Sequence, residues 1–125
     1  MMKRIIHTTT LVILLASSVM AKRTAPEKVP PIVTEQAAFS APHFGFKNGT
    51  DQNGGVILAH HPKTKKLLWR IQIYKTEYNA LEKDVQDVFI KTLKFDKVHN
   101  LLIMSDEKSR VFVLNLATKK VTQIE

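Results

Sequence analysis

The chain has 125 residues, 44% of them hydrophobic, with 19 Lys and Arg against 11 Asp and Glu and a net charge of +8 at neutral pH. That length suits one small domain, and the absence of cysteine excludes a disulfide framework, a cysteine zinc site and a lipidated N-terminus. The basic balance favours anionic partners by long-range steering and says nothing of fold.

The first element in chain order is export-like. Lys3 and Arg4 form a positive start, Leu11–Ala16 a short apolar run, and Val19 and Ala21 the small residues of a cleavage site. The run is far short of the ~20 residues that span a bilayer, so no permanent membrane span is expected. Cleavage near Ala21 would leave 104 residues, secreted or periplasmic. Residues 22–42 hold four prolines and scattered charges without a sustained period, and they predict a flexible arm. Residues 43–125 then form a single domain, opening with a turn-rich loop that carries Phe44 and Phe46.

The pattern beyond residue 55 is short strands and turns. Val56–His60 is one strand. Leu67–Tyr74 alternates strictly, with Leu67, Trp69, Ile71 and Ile73 on one side and Leu68, Arg70, Gln72 and Tyr74 on the other. Between Thr76 and Asp96 the signal changes from helical to extended, predicting a helical turn over Asn79–Gln86 and a strand over Asp87–Phe95. Leu101–Ser105, Arg110–Asn115 and Lys120–Ile124 complete the set, joined by links short enough for hairpins. The fold class is therefore mainly β: five or six antiparallel strands, in a propeller-blade-like meander or a small barrel or sandwich, with one short helix.

One turn is written twice. Thr64-Lys65-Lys66-Leu67 aligns with Thr118-Lys119-Lys120-Val121, which places Ile57 against Val111 and Ala59 against Val113. The simplest account is two equivalent hairpins whose lysines keep the tips wet. Thr64, Lys66, Leu67, Leu68 and Trp69 resemble the strand–turn–strand of PQQ-like β-propeller repeats, with Lys65 at the usual Gly and His61 at the usual Asp. The region from Gly54 onward is also similar to small secreted bacterial proteins of unknown function that carry a segment like Leu81–Ile90. The resemblance implies local sheet geometry only. A closed ring needs at least about four blades, so it implies no quinone, metal or catalytic site.

Candidate chemistry is sparse. His60 and His61 are neighbours on an extended stretch and point apart, which does not suit one metal ion; they read as turn histidines, with His43 and His99 isolated elsewhere. Glu82, Asp84 and Asp87 would support a small hydrolase if their environments separated their proton affinities, against the plainer reading of a solvated edge. No phosphate loop, nucleophile elbow or zinc spacing occurs, so no catalytic, cofactor-binding or metal residue is assigned. Lys63, Lys65, Lys66, Lys119 and Lys120 would form a basic rim if the two hairpins lie together, suited to an anionic envelope polymer or nucleic acid. Leu101, Ile103, Val111 and Val113 alternate with Leu102, Met104, Phe112 and Leu114, so these strands are apolar on both sides and something must cover them. Trp69, Tyr74, Phe112 and Leu114 are the candidate interaction face. The expected function is a non-enzymatic binding or accessory module that meets another envelope protein or itself, with polymer binding and the hydrolase as alternatives.

Overall fold

The computed structural model describes residues 24–45, 49–79 and 83–124, with side chains there except those of residues 83 and 84. The export-like segment and its cut at Ala21, Phe46 and Glu82 lie outside the described residues.

Among the described residues eight strands occur in the order β1 (Ile32–Val33), β2 (Ala38–Ser40), β3 (Val56–His60), β4 (Leu67–Gln72), β5 (Ile90–Asp96), β6 (Leu101–Asp106), β7 (Val111–Asn115) and β8 (Val121–Gln123). One helical turn, α1 (Lys83–Gln86), sits between β4 and β5. They make two four-stranded sheets, β1-β2-β3-β4 and β5-β6-β7-β8, each a meander of antiparallel neighbours. Among the described residues the protein is thus mainly β with almost no helix, and the strands there number eight where five or six were expected.

The two additional strands lie where a flexible arm was expected. Pro30 and Pro31 lead into β1, an edge strand, where a missing N–H costs no ladder bond. The β1–β2 link is then closed by Thr34, whose Oγ accepts from the N–H groups of Gln36 (3.3 Å) and Ala37 (3.1 Å). Phe39 pairs with Ile32 on one side and Ala59 on the other, and it is buried. Strands of two and three residues carry too little period to be seen in sequence, and it is the pairing with β3 that orders them.

Both sheets turn one face into a shared core. From the first come Phe39, Ile57 and Ala59, with Trp69 and Ile71 partly buried beside them; from the second come Ile90, Leu102, Met104, Phe112 and Leu114, flanked by Leu93, Phe95 and Val121. The Phe39 ring stands 5.8 Å from Trp69 in its own sheet and 6.4 Å from Phe95 of the other, and β1 lies against β5. Side chains of this kind contribute about 1.5–3 kcal/mol each on burial, which is what a cysteine-free domain of this size has to rest on.

The opposite faces differ. On β3, Val56 and Leu58 point away from the core yet are also buried, and on that side Gly49 (φ +76°) packs so close to Arg70 that a β-carbon would lie 2.4 Å from its Nη1. On the second sheet, Leu101, Ile103, Val111 and Val113 are half-buried, bordered by Lys94 opposite Ile103 and Thr122 opposite Val113.

Candidate functional site

The repeated turn of the sequence is the same object twice in space. The N–H groups of Lys63 and Thr64 donate to His61 Nδ1 (3.1 and 3.2 Å), and those of Ala117 and Thr118 donate to Asn115 Oδ1 (2.9 and 3.0 Å). In each, the fifth residue is left-handed, Lys65 at φ +66° and Lys119 at φ +65°. Its N–H donates to the first residue's carbonyl, at 3.0 Å to His61 and 2.7 Å to Asn115. Its own Nζ reaches back three residues, 2.9 Å to the Pro62 carbonyl and, in the second turn, to the Leu116 carbonyl. A left-handed lysine is strained, and that tie offsets part of the cost.

A third turn follows the same plan without the Thr-Lys-Lys signature. Asp96 Oδ1 takes the N–H of His99 (3.2 Å), and the fifth residue, Asn100, is left-handed at φ +55°. His99 Nδ1 pairs with Asp96 Oδ2 at 2.8 Å, and this hydrogen bond holds the Asp96 carboxyl below its ordinary range. The sequence signal was an acceptor side chain four residues before an Asn at a strand boundary, which is visible only once the acceptor rather than the lysines is taken as the motif.

These turns share one end of the molecule. A meander puts its first and third turns on the same edge, so β1–β2 joins β3–β4, and β5–β6 joins β7–β8. The second pair is tied directly, the Leu116 N–H donating to the Asn100 carbonyl at 3.1 Å. Across the sheets, the β1–β2 and β5–β6 turns line one groove, and Lys119 Nζ sits 5.2 Å above the ring of Trp69, at the start of β4. The result is a surface with Lys63, Lys65, Lys66, Lys97, Lys119 and Lys120 all exposed, accompanied by the carboxylates Glu35 and Asp96. Lys97 also belongs to this group, and its sequence does not announce it, because residues 96–101 lack the Thr-Lys-Lys signature of the other two turns.

The opposite end is built for closure. Gln52 spans the loop before β3 and the link after β4, its Nε2 donating to the carbonyls of Gly54 (3.0 Å) and Tyr74 (2.9 Å) and its Oε1 taking the Thr76 N–H (2.7 Å). Asp87 accepts from Tyr78 Oη (2.5 Å) and Asn53 Nδ2 (3.1 Å). Burial, and this bond to Asp87, hold the Tyr78 hydroxyl above its ordinary proton affinity. Arg110 donates Nε (2.7 Å) and Nη2 (2.6 Å) to the buried Asp106 and covers the Tyr74 and Phe112 rings. Tyr74 donates to the Val88 carbonyl (2.6 Å), and burial pushes its proton affinity well up.

The other sequence candidates are placed as follows. Tyr74, Phe112 and Leu114 are core residues and Trp69 is half-buried among them, so the candidate interaction face is in fact the interior seam between the sheets. Sharing a face with Ile71 and Ile73 already favoured the core for Trp69, but alternation set Tyr74 on the opposite face; β4 ends at Gln72, and past it Ile73 and Tyr74 both enter the core. Asp87 is buried and bound by Tyr78 and Asn53, and its fellow candidates Glu82 and the Asp84 side chain lie outside the described residues. His61 is a turn cap and His99 a hydrogen-bond partner of Asp96. His43 is buried against Phe89, 4.5 Å between rings, with Nε2 unpartnered among the described residues; burial, then Lys28, lowers its proton affinity. No group of three or more metal-ligating side chains occurs among the described residues, and no described helix is long and apolar enough to cross a membrane. No protein-family model matches the chain, and neither does a curated protein or a solved structure.

Proposed function

We propose that the chain is an exported, non-enzymatic binding module that holds an anionic polymer on its turn end. The observation that carries this reading is the gathering of six lysines from three separate turns onto one edge, with two carboxylates among them. Electrostatically, such a surface raises the local concentration of a polyanion and releases its counterions on contact. The two meanders, alike in strand order and in the turn between third and fourth strands, support reading them as successive blade-like repeats of the PQQ-like kind. The export-like N-terminus fits an envelope polymer better than a nucleic acid. Titration of the purified chain with linear polyphosphate at several salt concentrations tests the reading: affinity falls steeply with salt if it holds. Salt-independent binding, or none at low salt, contradicts it.

A second reading has its own observation. Leu101, Ile103, Val111 and Val113 leave the outer face of the second sheet half-buried, which favours an accessory role against another envelope protein or a second copy. Light scattering at increasing concentration checks the second-copy form; a strictly monomeric chain removes it.

A further inference from the structure

We infer that the anionic polymer is a glycan, and that one or two of its sugar rings enter the groove between the β1–β2 and β5–β6 turns. This rests on the anion-binding reading above and adds the chemical class of the ligand. The groove holds about 700 Å³ and is lined by Val33, Thr34, Glu35, Gln36, Phe95, Lys97 and Asn100. A pyranose ring has an apolar C–H face and a rim of hydroxyls that both donate and accept. Its complement is an apolar or aromatic surface framed by a few amide and carboxylate side chains.

The groove has that composition. Phe95 and Val33 supply apolar surface, and Glu35, Gln36 and Asn100 supply exposed polar ends from the two facing turns. Thr34 is occupied in its own turn, where its Oγ donates to the Ala37 carbonyl at 3.0 Å, so it shapes the wall rather than meeting a ligand. Lys97 stands on the groove wall and is the cation through which a charged sugar substituent would join the ring site to the wider basic edge. The Asn100 carbonyl, bound by the Leu116 N–H, ties that wall to the turn bearing Lys119 and Lys120. A polyphosphate or a DNA backbone has no hydroxyl to donate to an acceptor such as Glu35 beside it, whereas sugar hydroxyls donate to one.

The test compares a sulfated tetrasaccharide, linear polyphosphate of equal charge and single-stranded DNA, each titrated calorimetrically into the purified chain. Gln36→Ala alters an exposed side chain, and Asn100→Gly keeps the left-handed backbone, so both variants fold. Each is expected to weaken the tetrasaccharide roughly fivefold, the worth of about one hydrogen bond, and to leave polyphosphate unchanged. Lys97→Ala is expected to weaken both. Equal affinity for tetrasaccharide and polyphosphate, with Gln36→Ala and Asn100→Gly silent for both, overturns the glycan assignment while the anion-binding reading stands. Tighter binding of the DNA than of the tetrasaccharide overturns it as well. No binding of any of the three at low salt removes the reading beneath it and the groove together.

Discussion

The two ends of this molecule are made of the same materials and do opposite things with them. At one end Gln52, Asn53 and Asp87 turn their polar atoms inward and tie a loop to a strand link, and the buried Asp106 holds Arg110 across the β6–β7 turn and over the Tyr74 and Phe112 rings. At the other end, backbone N–H groups are satisfied inside the turns by His61, Asp96 and Asn115, and Lys63, Lys66, Lys97 and Lys120 stay exposed while Lys65 and Lys119 reach back to turn carbonyls. The lesson is that local capping frees a surface. Where a turn meets its own hydrogen-bond needs in six residues, its remaining side chains are available for a partner.

That contrast predicts mutations that separate stability from binding. The largest expected effect is Asp106→Ala. It strips Arg110 of a buried carboxylate, along with the N–H groups of Lys108 and Arg110 that bond to it, and it is expected to cost about 3 kcal/mol in urea unfolding. Polyphosphate affinity of the folded protein should stay within about twofold. Gly54→Ala attacks the same end through the backbone. Gly54 is left-handed at φ +78°, and a β-carbon there would lie 2.7 Å from the Val88 carbonyl, for a loss of about 2 kcal/mol.

Changes at the turn end should reverse the pattern. Replacing Lys63, Lys66 and Lys120 together by Ala is expected to change stability by no more than about 0.5 kcal/mol, since all three are exposed. Polyphosphate affinity, read by calorimetry at low salt, should drop by about tenfold or more. A finer comparison lies within the repeated turn. Lys65→Asn relieves a left-handed lysine and is expected to gain about 0.5 kcal/mol, and Lys119→Asn gains less because it gives up the Trp69 ring. The smallest effect is in pH. His43 is held below its ordinary value of 6.5 by burial, so the unfolded chain takes up the proton first as pH falls. Stability is therefore full above that value and is lost as pH drops through it toward the folded-state value. His43→Gln should flatten the dependence of the unfolding midpoint on pH across that window.

Legibility in the sequence followed how local the cause was. β3 is found at its expected bounds, Val56–His60, because a short apolar run and the turn that Pro62 opens are both local signals. The equivalence of the 61–66 and 115–120 turns was readable from Thr-Lys-Lys for the same reason. β1 and β2 were not legible, since two paired residues between prolines acquire a structure only from β3. The helical turn shortens to Lys83–Gln86 among the described residues, and the strand after it begins at Ile90 rather than Asp87, because Asp87, Val88 and Phe89 are committed to Tyr78, Tyr74 and Glu107. The basic edge was half legible. Its two lysine turns stood out, and the position of Lys97 beside them depends on two sheets folding to bring their turns to one end.

The central claim is that the lysine edge, and no other part of the surface, carries the affinity for anions. The direct measurement is the slope of log affinity for polyphosphate against log salt, in the wild-type chain and in the variant lacking Lys63, Lys66 and Lys120. The account predicts a steep wild-type slope that becomes shallower by roughly 2 in the variant, at unchanged folding stability. Equal slopes in the two proteins would contradict it.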